Sequence, residues 1–365
     1  MPNQNSPHPT LAHEQTVTTQ PAGTVVESFA STASAYASLP RFTVGIPVYR
    51  GMPWLAEAIE SLARQSLQNF NVLVVLDGAD PESAAYLARE KRLSLQVIER
   101  PHYGLVAALN CLLENCTTPW LVRQDADDLS MPDRLAVLDR ALNEYPAARL
   151  LTSRARYIPQ QRALGRFRSS HGTSEKLKRL VESGRLLSFC HSSVALHVAT
   201  AQKVGGYREI PYSEDSDLWW RMALEAEVRT LPEVLTGFRQ SSQSVSSLHH
   251  EEQQISGLYV QYLLLSHLWG LTPQPLEQVS AALAELSMTR TQEAKRWLRH
   301  CNISFSERRM VNAFVCLLRS AWNDPLYLPR RLWQEWSPRI QTNGVAPRRY
   351  AKERDRLWKL PPALR

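Results

Sequence analysis

Apolar and polar positions come in short blocks along residues 41–140, and the blocks change period in a regular way. Residues 42–49 (FTVGIPVY) form an apolar run that stops near a proline, and Trp54, Leu55, Ala58, Ile59 and Leu62 then recur at helical spacing. A second run, 71–76 (NVLVVL), closes in Asp77-Gly78. A helix is predicted around 81–91, a short strand at 95–98, a helix at 105–114 and a buried strand at 120–122. Strands that alternate with helices predict an α/β fold: a mostly parallel twisted sheet with helices on both faces. Beyond residue 250 the apolar residues keep helical spacing, as in Leu258, Tyr262, Leu265 and Leu268 and again in Val311, Phe314, Val315 and Leu318, with breaks at Pro273, Pro275 and Pro325. Three parts follow: a disordered leader over 1–40, rich in Ser, Thr, Ala, Gln and Pro without periodicity; a sheet domain over 41–250, in halves 41–140 and 141–250; and a helical extension over 251–365 with a basic tail.

Composition narrows the class. The 365 residues are 44% hydrophobic, as in ordinary soluble domains, and no run approaches the roughly 18 apolar residues of a membrane span. Five cysteines, scattered and without a Cys-x-x-Cys pair, suit neither a zinc site nor a disulfide framework, and point to a reducing cytoplasm. The N-terminus lacks the basic-then-apolar pattern of a secretory signal. The net charge of +7 is concentrated at one end: residues 330–365 hold ten Lys or Arg against three Asp or Glu, interleaved with Trp333, Trp336 and Trp358. Basic and indole side chains together suit peripheral contact with the anionic inner face of a membrane; they equally suit a solvated helical tail that packs its indoles on the core. No nucleic-acid module is present, so a nucleic-acid partner is not expected.

The chemistry gathers at strand ends. After residues 120–122 come Asp125, Asp127 and Asp128, three carboxylates that repel one another unless a cation compensates. Mg²⁺ or Mn²⁺ is the natural compensator, since both prefer oxygen ligands and join one or two carboxylates to substrate phosphates. The plainer alternative is a solvated turn whose Asp residues cap the next helix. A helix-loop-helix calcium site is disfavoured, because Leu129 would fall at a ligand position and the required glycine is missing. In open α/β sheets ligands collect outside the carboxyl ends of strands, where Tyr49, Asp77 and the acidic triplet all lie. Neither the glycine fingerprint of dinucleotide enzymes nor a Walker phosphate loop follows the first strand. In the second half, Ser213-Glu214-Asp215 opens an apolar-periodic helix, with Ser213 as a plausible N-cap and carboxylates favoured by the helix dipole. Asp217 and Arg221 are spaced as a local ion pair, and His249 is a metal candidate.

Four blocks in order, "VGIPVYRG", "AIESLARQSLQNFNVLVVLDGADP", "ERPHYGLVAALN" and "LVRQDADDLSMPDRL", resemble the family-2 glycosyltransferases, which share the nucleotide-diphospho-sugar transferase fold of the GT-A type. The resemblance extends through "GGYREIPYSEDSDLWW" and "GFRQSSQSVS", covering roughly residues 41–248. It implies an inverting transfer of sugar from a nucleotide-diphospho-sugar, most simply a UDP-sugar, to a hydroxyl of a glycan or glycolipid acceptor, as in bacterial cell-surface polysaccharide or lipopolysaccharide synthesis. Tyr49 and Asp77 would hold the base, with Arg100 nearby. Asp125 would meet the ribose or the metal, and Asp127 the metal and diphosphate. Pro47 and Ala126 complete the donor-contacting set. Arg239, in a loop that is mobile in the family, would neutralise the departing diphosphate. Asp215 would be the catalytic base, with Glu214 orienting the acceptor. Arg50 stands where the family usually has Asn, and it receives no role. The competing readings are a sugar-phosphate nucleotidyltransferase, for which "PVYRGMPW" is a poor phosphate loop, and a binding module without activity.

Overall fold

The protein is described here by a computed structural model over residues 39–158, 167–239, 249–287, 290–336 and 340–359. Residues 1–38 of the expected disordered leader, and the residues that follow Arg239 up to 248, lie outside that set.

Period-2 and period-3.6 patterns become elements where they are strongest. β1 (Phe42–Val48) is buried along its length, and α1 (Trp54–Ala63) turns Leu55, Ala58, Ile59 and Leu62 inward. β2 (Asn71–Asp77), α2 (Pro81–Arg89), β3 (Ser94–Arg100), α3 (Leu105–Asn115) and β4 (Trp120–Arg123) follow in alternation. Asp80 caps α2, accepting from the Ser83 N–H, with Pro81 placed where its missing N–H costs nothing. A two-residue strand β5 (Leu129–Ser130) precedes α4 (Arg134–Glu144). The second half holds β6 (Ala148–Ile158), α5 (Ser174–Glu182), β7 (Leu186–Leu187), a 3-10 turn at His191–Ser193, β8 (Val194–His197), α6 (Val198–Lys203), α7 (Glu214–Glu225) and β9 (Glu227–Arg239).

Among the described residues the main sheet runs β3-β2-β1-β4-β8-β6-β9-β5, with β8 and β5 antiparallel to their neighbours and the other pairings parallel. The expected mostly parallel sheet is therefore present. Alternation along β2 sorts its side chains to two cores. Val72, Val74 and Leu76 join Ile46, Ile59 and Leu138 on the face of α1 and α4, while Leu73 and Val75 join Leu109, Leu177 and Trp219 on the face of α3, α5 and α7.

The extension comprises α8 (His250–Trp269), α9 (Leu276–Ser287), α10 (Arg290–Ser306), α11 (Met310–Asn323), α12 (Tyr327–Trp336), the strand β10 (Thr342–Asn343), α13 (Pro347–Lys352) and α14 (Arg354–Trp358). It is tied to the sheet domain. β10 pairs with β7, Val260 and Leu264 of α8 enter the core that holds Trp219, and buried Gln261 donates to the Gly184 and Val345 carbonyls at 2.8 Å each. The basic tail divides. Tyr350 and Trp358 are buried, Trp358 lying 4.5 Å from the Tyr262 ring centroid and donating to Ser266, whereas Trp333 is exposed. No described helix is long and apolar enough to cross a membrane.

Candidate active site

β4 delivers the acidic triplet. Its last residue, Arg123, is fully buried, and its guanidinium donates to the Gln124 carbonyl and to Asp125 Oδ1. Asp125 Oδ2 accepts from the Ser192 hydroxyl at 2.8 Å, and the same hydroxyl accepts from the Asp125 N–H at 2.9 Å. Burial works against ionisation of Asp125, but the Arg123 charge and these hydrogen bonds hold it below the ordinary carboxylate value. Its two neighbours go the other way. Burial and the Asp125 charge push Asp127 up to about 6, and burial with repulsion from Asp125 and Asp127 pushes Asp128 well above its usual range. Asp128 Oδ1 accepts from the Arg239 N–H at 2.8 Å, so this carboxyl closes the turn onto β9 and does not cap α4. Ala126 is half-buried against the α1 side of the core.

The donor end is built by the ends of β1, β2 and β3. Pro47 is buried in β1 opposite Val75. Tyr49 is 53% exposed and stacks on His102, ring centroids 4.3 Å apart. Asp77 is buried and already engaged: Oδ1 accepts from the Tyr103 N–H at 3.0 Å, Oδ2 accepts from Gly104 at 2.8 Å, and His102 Nδ1 lies 2.8 Å from Oδ2. Gly104, at φ +90, is the N-cap of α3, so Asp77 fixes the start of that helix. Arg100 lies 3.4 Å from Asp77, donates to the Ala107 carbonyl at 2.8 Å and covers the Tyr103 ring. Arg50 adopts φ +53, the left-handed conformation that Asn tolerates best among residues with a side chain, which gives a conformational reason for Asn at this position in the family.

The opposite wall is the first turn of α7. Ser213 occupies the N-cap, but its side chain makes no capping hydrogen bond, so the expected cap is one of position only. Burial raises Glu214 to about 8, with Asp215 adding to it. Burial likewise raises Asp215 to about 6, despite the Ser216 N–H it accepts; Asp125 repulsion adds to the rise and the Arg123 charge opposes it. The ionisation of Asp215 is thus sensitive to the charges at the end of β4. Beneath them the Tyr207 hydroxyl lies 3.0 Å from His191 Nε2, and burial presses that histidine to about 3. Asn110 clamps Tyr207 through both its backbone groups, at 2.9 Å each, across the glycine turn. Asp217 pairs with Arg221 and Arg208 at 2.6 Å and accepts from the Trp220 indole, as a structural knot. His249 stacks on Tyr212 at 4.6 Å, and among the described residues it joins no group of three or more His, Cys, Asp or Glu that could hold a metal ion.

Arg239 is not free. It ends β9, its guanidinium lies 3.9 Å from the Trp54 ring centre, and it donates to the Asp127 carbonyl at 2.9 Å and to Glu57 at 2.7 Å. The residue is anchored beside the acidic turn, whereas the loop beyond it is outside the described residues.

A divalent cation fits the chemistry of this turn. Asp127 is an incompletely compensated carboxylate, raised by burial and by Asp125, and a cation beside it would relieve both costs. Among the described residues no group of three or more His, Cys, Asp or Glu could hold an ion, so any cation would need further oxygens from phosphate or water.

Arg123, Ser192, His102 and Trp54 escaped the sequence reading as site residues. Arg123 alone left a signal, an arginine at the end of an apolar strand; Ser192 reaches Asp125 only through the fold.

The glycosyl transferase family 2 profile matches residues 43–203. The chain is 30% identical over 204 residues to the amylovoran biosynthesis glycosyltransferase AmsE of Erwinia amylovora, covering 53% of this chain and 73% of the relative. In fold it is similar to S. aureus TarS 1-349 solved with UDP-GlcNAc (14% identity, 78% of this chain and 92% of that one, TM-score 0.52). It is also similar to the mannosyltransferase PcManGT of Pyrobaculum calidifontis solved with GDP-Man and Mn²⁺ (18% identity, 81% and 83%, TM-score 0.50). With these matches and the GT-A type sheet, the chain belongs to glycosyl transferase family 2.

Proposed function

We propose that the protein is a divalent-metal-dependent, inverting glycosyltransferase that moves a sugar from a nucleotide-diphospho-sugar, with UDP-sugars the first choice, to a hydroxyl of a glycan or glycolipid in polysaccharide synthesis at the cytoplasmic face of a membrane. One observation carries the reading: the carboxyl of Asp215, at the start of α7, is raised chiefly by burial and lies within electrostatic reach of Asp125 and Arg123 at the end of β4, which puts a candidate base near a candidate donor site. Solved relatives in fold that hold UDP-GlcNAc, or GDP-Man with Mn²⁺, support the donor class and the metal.

In this reading Tyr49 offers a ring face to the base, beside Asp77 and Arg100, and Pro47 and Ala126 shape the backbone around the donor. Asp127, aided by Asp125, holds Mn²⁺ or Mg²⁺, which when bound offsets negative charge on the diphosphate. Asp215 accepts the acceptor's hydroxyl proton as that oxygen bonds to the anomeric carbon; the carbon–oxygen bond to the diphosphate breaks on the opposite face, and its electron pair leaves with the nucleoside diphosphate. An ordinary aspartate is a weak base towards an alcohol, and a value near 6 brings Asp215 closer to the working range. Glu214, protonated at neutral pH, donates a hydrogen bond to the acceptor. Arg239 presents its guanidinium next to Asp127, where the diphosphate departs.

The direct test is transfer to a panel of glycan and glycolipid acceptors from UDP-, GDP- and dTDP-sugars with and without Mn²⁺, with product anomer read by NMR. Transfer that survives chelation would remove the metal from this reading, and retention of configuration would remove the single displacement.

A further inference from the structure

α11 has two apolar faces on opposite sides, and only one is packed. Ala313, Cys316 and Ser320 face α10, the Ser320 hydroxyl donating to the Ala294 carbonyl at 2.8 Å and Cys316 meeting Cys301. Val311, Phe314, Val315, Leu318 and Trp322 recur at helical spacing on the other side, with Val311 78% and Trp322 89% exposed. The stripe whose period predicts this helix is thus the one turned to solvent. Leu326, just before α12, and Leu332 on it are exposed too. An apolar stripe this regular on a helix marks a surface that meets another phase or partner.

We propose that this face of α11 and α12 lies on an anionic lipid bilayer. Charge complementarity selects that occupant. Residues 308–336 carry five Arg against Asp324 and Glu335; Arg308, Arg309, Arg319 and Arg330 are exposed, with Arg309 paired to Glu307 at 3.1 Å, Arg319 lying 4.4 Å from the Trp297 ring centre and Arg330 lying 3.8 Å from Asp324. A basic amphipathic helix with Trp and Phe on its apolar side rests in the interface plane, its cations among the lipid phosphates. A second copy seated symmetrically on the same face would set these guanidiniums against each other. The contact keeps only residues 330–336 of the basic tail, because Tyr350 and Trp358 further along that tail are core residues. It is independent of the donor and of the chemistry.

The test is co-sedimentation of the full chain with vesicles of phosphatidylcholine alone and of phosphatidylcholine with phosphatidylglycerol. The expected result is binding to the anionic vesicles, weakened by high salt, with a partition lowered about tenfold or more by Phe314→Glu with Trp322→Glu. In vesicles made with brominated lipid, wild-type fluorescence should be quenched by more than that of Trp322→Phe, a change that keeps the face apolar. This readout decides the question should the double variant fail to fold. Failure of the wild type to bind, unchanged binding by a folded double variant, equal quenching, or a wild-type dimer that the double variant dissolves would each overturn the proposal.

Discussion

Ser192 and Asp125 hold each other twice: the serine hydroxyl donates to the aspartate carboxylate at 2.8 Å and accepts from the same residue's backbone N–H at 2.9 Å. The two residues are 67 positions apart, and the pair fastens the turn that leads into β8 to the end of β4. Removing the hydroxyl leaves a buried N–H unpaired and takes a donor from a carboxylate.

Ser192→Ala should therefore destabilise the fold by about 1–3 kcal/mol and should loosen Asp125. Thermal unfolding reports the first effect, and nucleotide-sugar affinity measured by calorimetry reports the second. A variant with wild-type stability and wild-type donor affinity would show that the double contact is incidental.

Asp127 and Asp215 are expected to fail differently. Asp127→Asn removes the incompletely compensated charge of the acidic turn, so the Mn²⁺-dependent part of donor binding should disappear. Asp215→Asn leaves the donor side intact and removes the base, so donor binding should persist while kcat falls by about 10²–10⁴-fold. Thermal shift with UDP-sugar and Mn²⁺, run beside turnover, separates the two. Equal loss of donor binding in both variants would contradict this division of labour.

The pH dependence has a definite sign. Asp215 sits near 6 and must be ionised to act, whereas a cation held by Asp127 would favour that carboxyl's ionised form and take it out of this range. With Mn²⁺ present, the profile of kcat/KM should rise with pH through an acid limb centred near 6, its apparent constant belonging to the interacting group of acids. Activity level down to the ordinary aspartate value would mean that neither burial nor Asp125 repulsion acts on Asp215 in solution.

The first half of the fold was legible because its signals agree: apolar runs, helical spacing and Asp-Gly or proline stops all mark the same boundaries, and β1 to β4 form where they indicate. β6 and β9 were not read, although they complete the sheet. Arg149, Arg154 and Arg156 in β6, and Pro232 with Glu233 in β9, break any clean alternation, and the ladder between the strands carries register shifts that blur a period of two. Donor-side residues stood out as strand ends. What could not be read were the partners: Asp77 holding the Tyr103 and Gly104 N–H groups, or Arg239 lying on Trp54, are products of tertiary contact with no local pattern.

Glu214 supplies a test of electrostatics separate from turnover. Its folded value, about 8, lies above the ordinary 4.5, so the folded protein keeps a proton that the unfolded chain releases in between. By linkage the stability that this group contributes is present below the ordinary value and is lost as pH rises towards the folded one. Glu214→Gln cannot titrate. The variant should therefore gain stability relative to the wild type between about pH 5 and about pH 8, by on the order of a few kcal/mol at most. Its amide can still donate to an acceptor hydroxyl, so turnover should survive the change that in Asp215→Asn lowers it by orders of magnitude. Urea unfolding of both proteins across that range gives the difference directly. A difference that stays flat, or that runs in the wild type's favour as pH rises, would mean that Glu214 is ionised in the fold, and would leave it a carboxylate acceptor beside Asp215 in place of a hydrogen-bond donor.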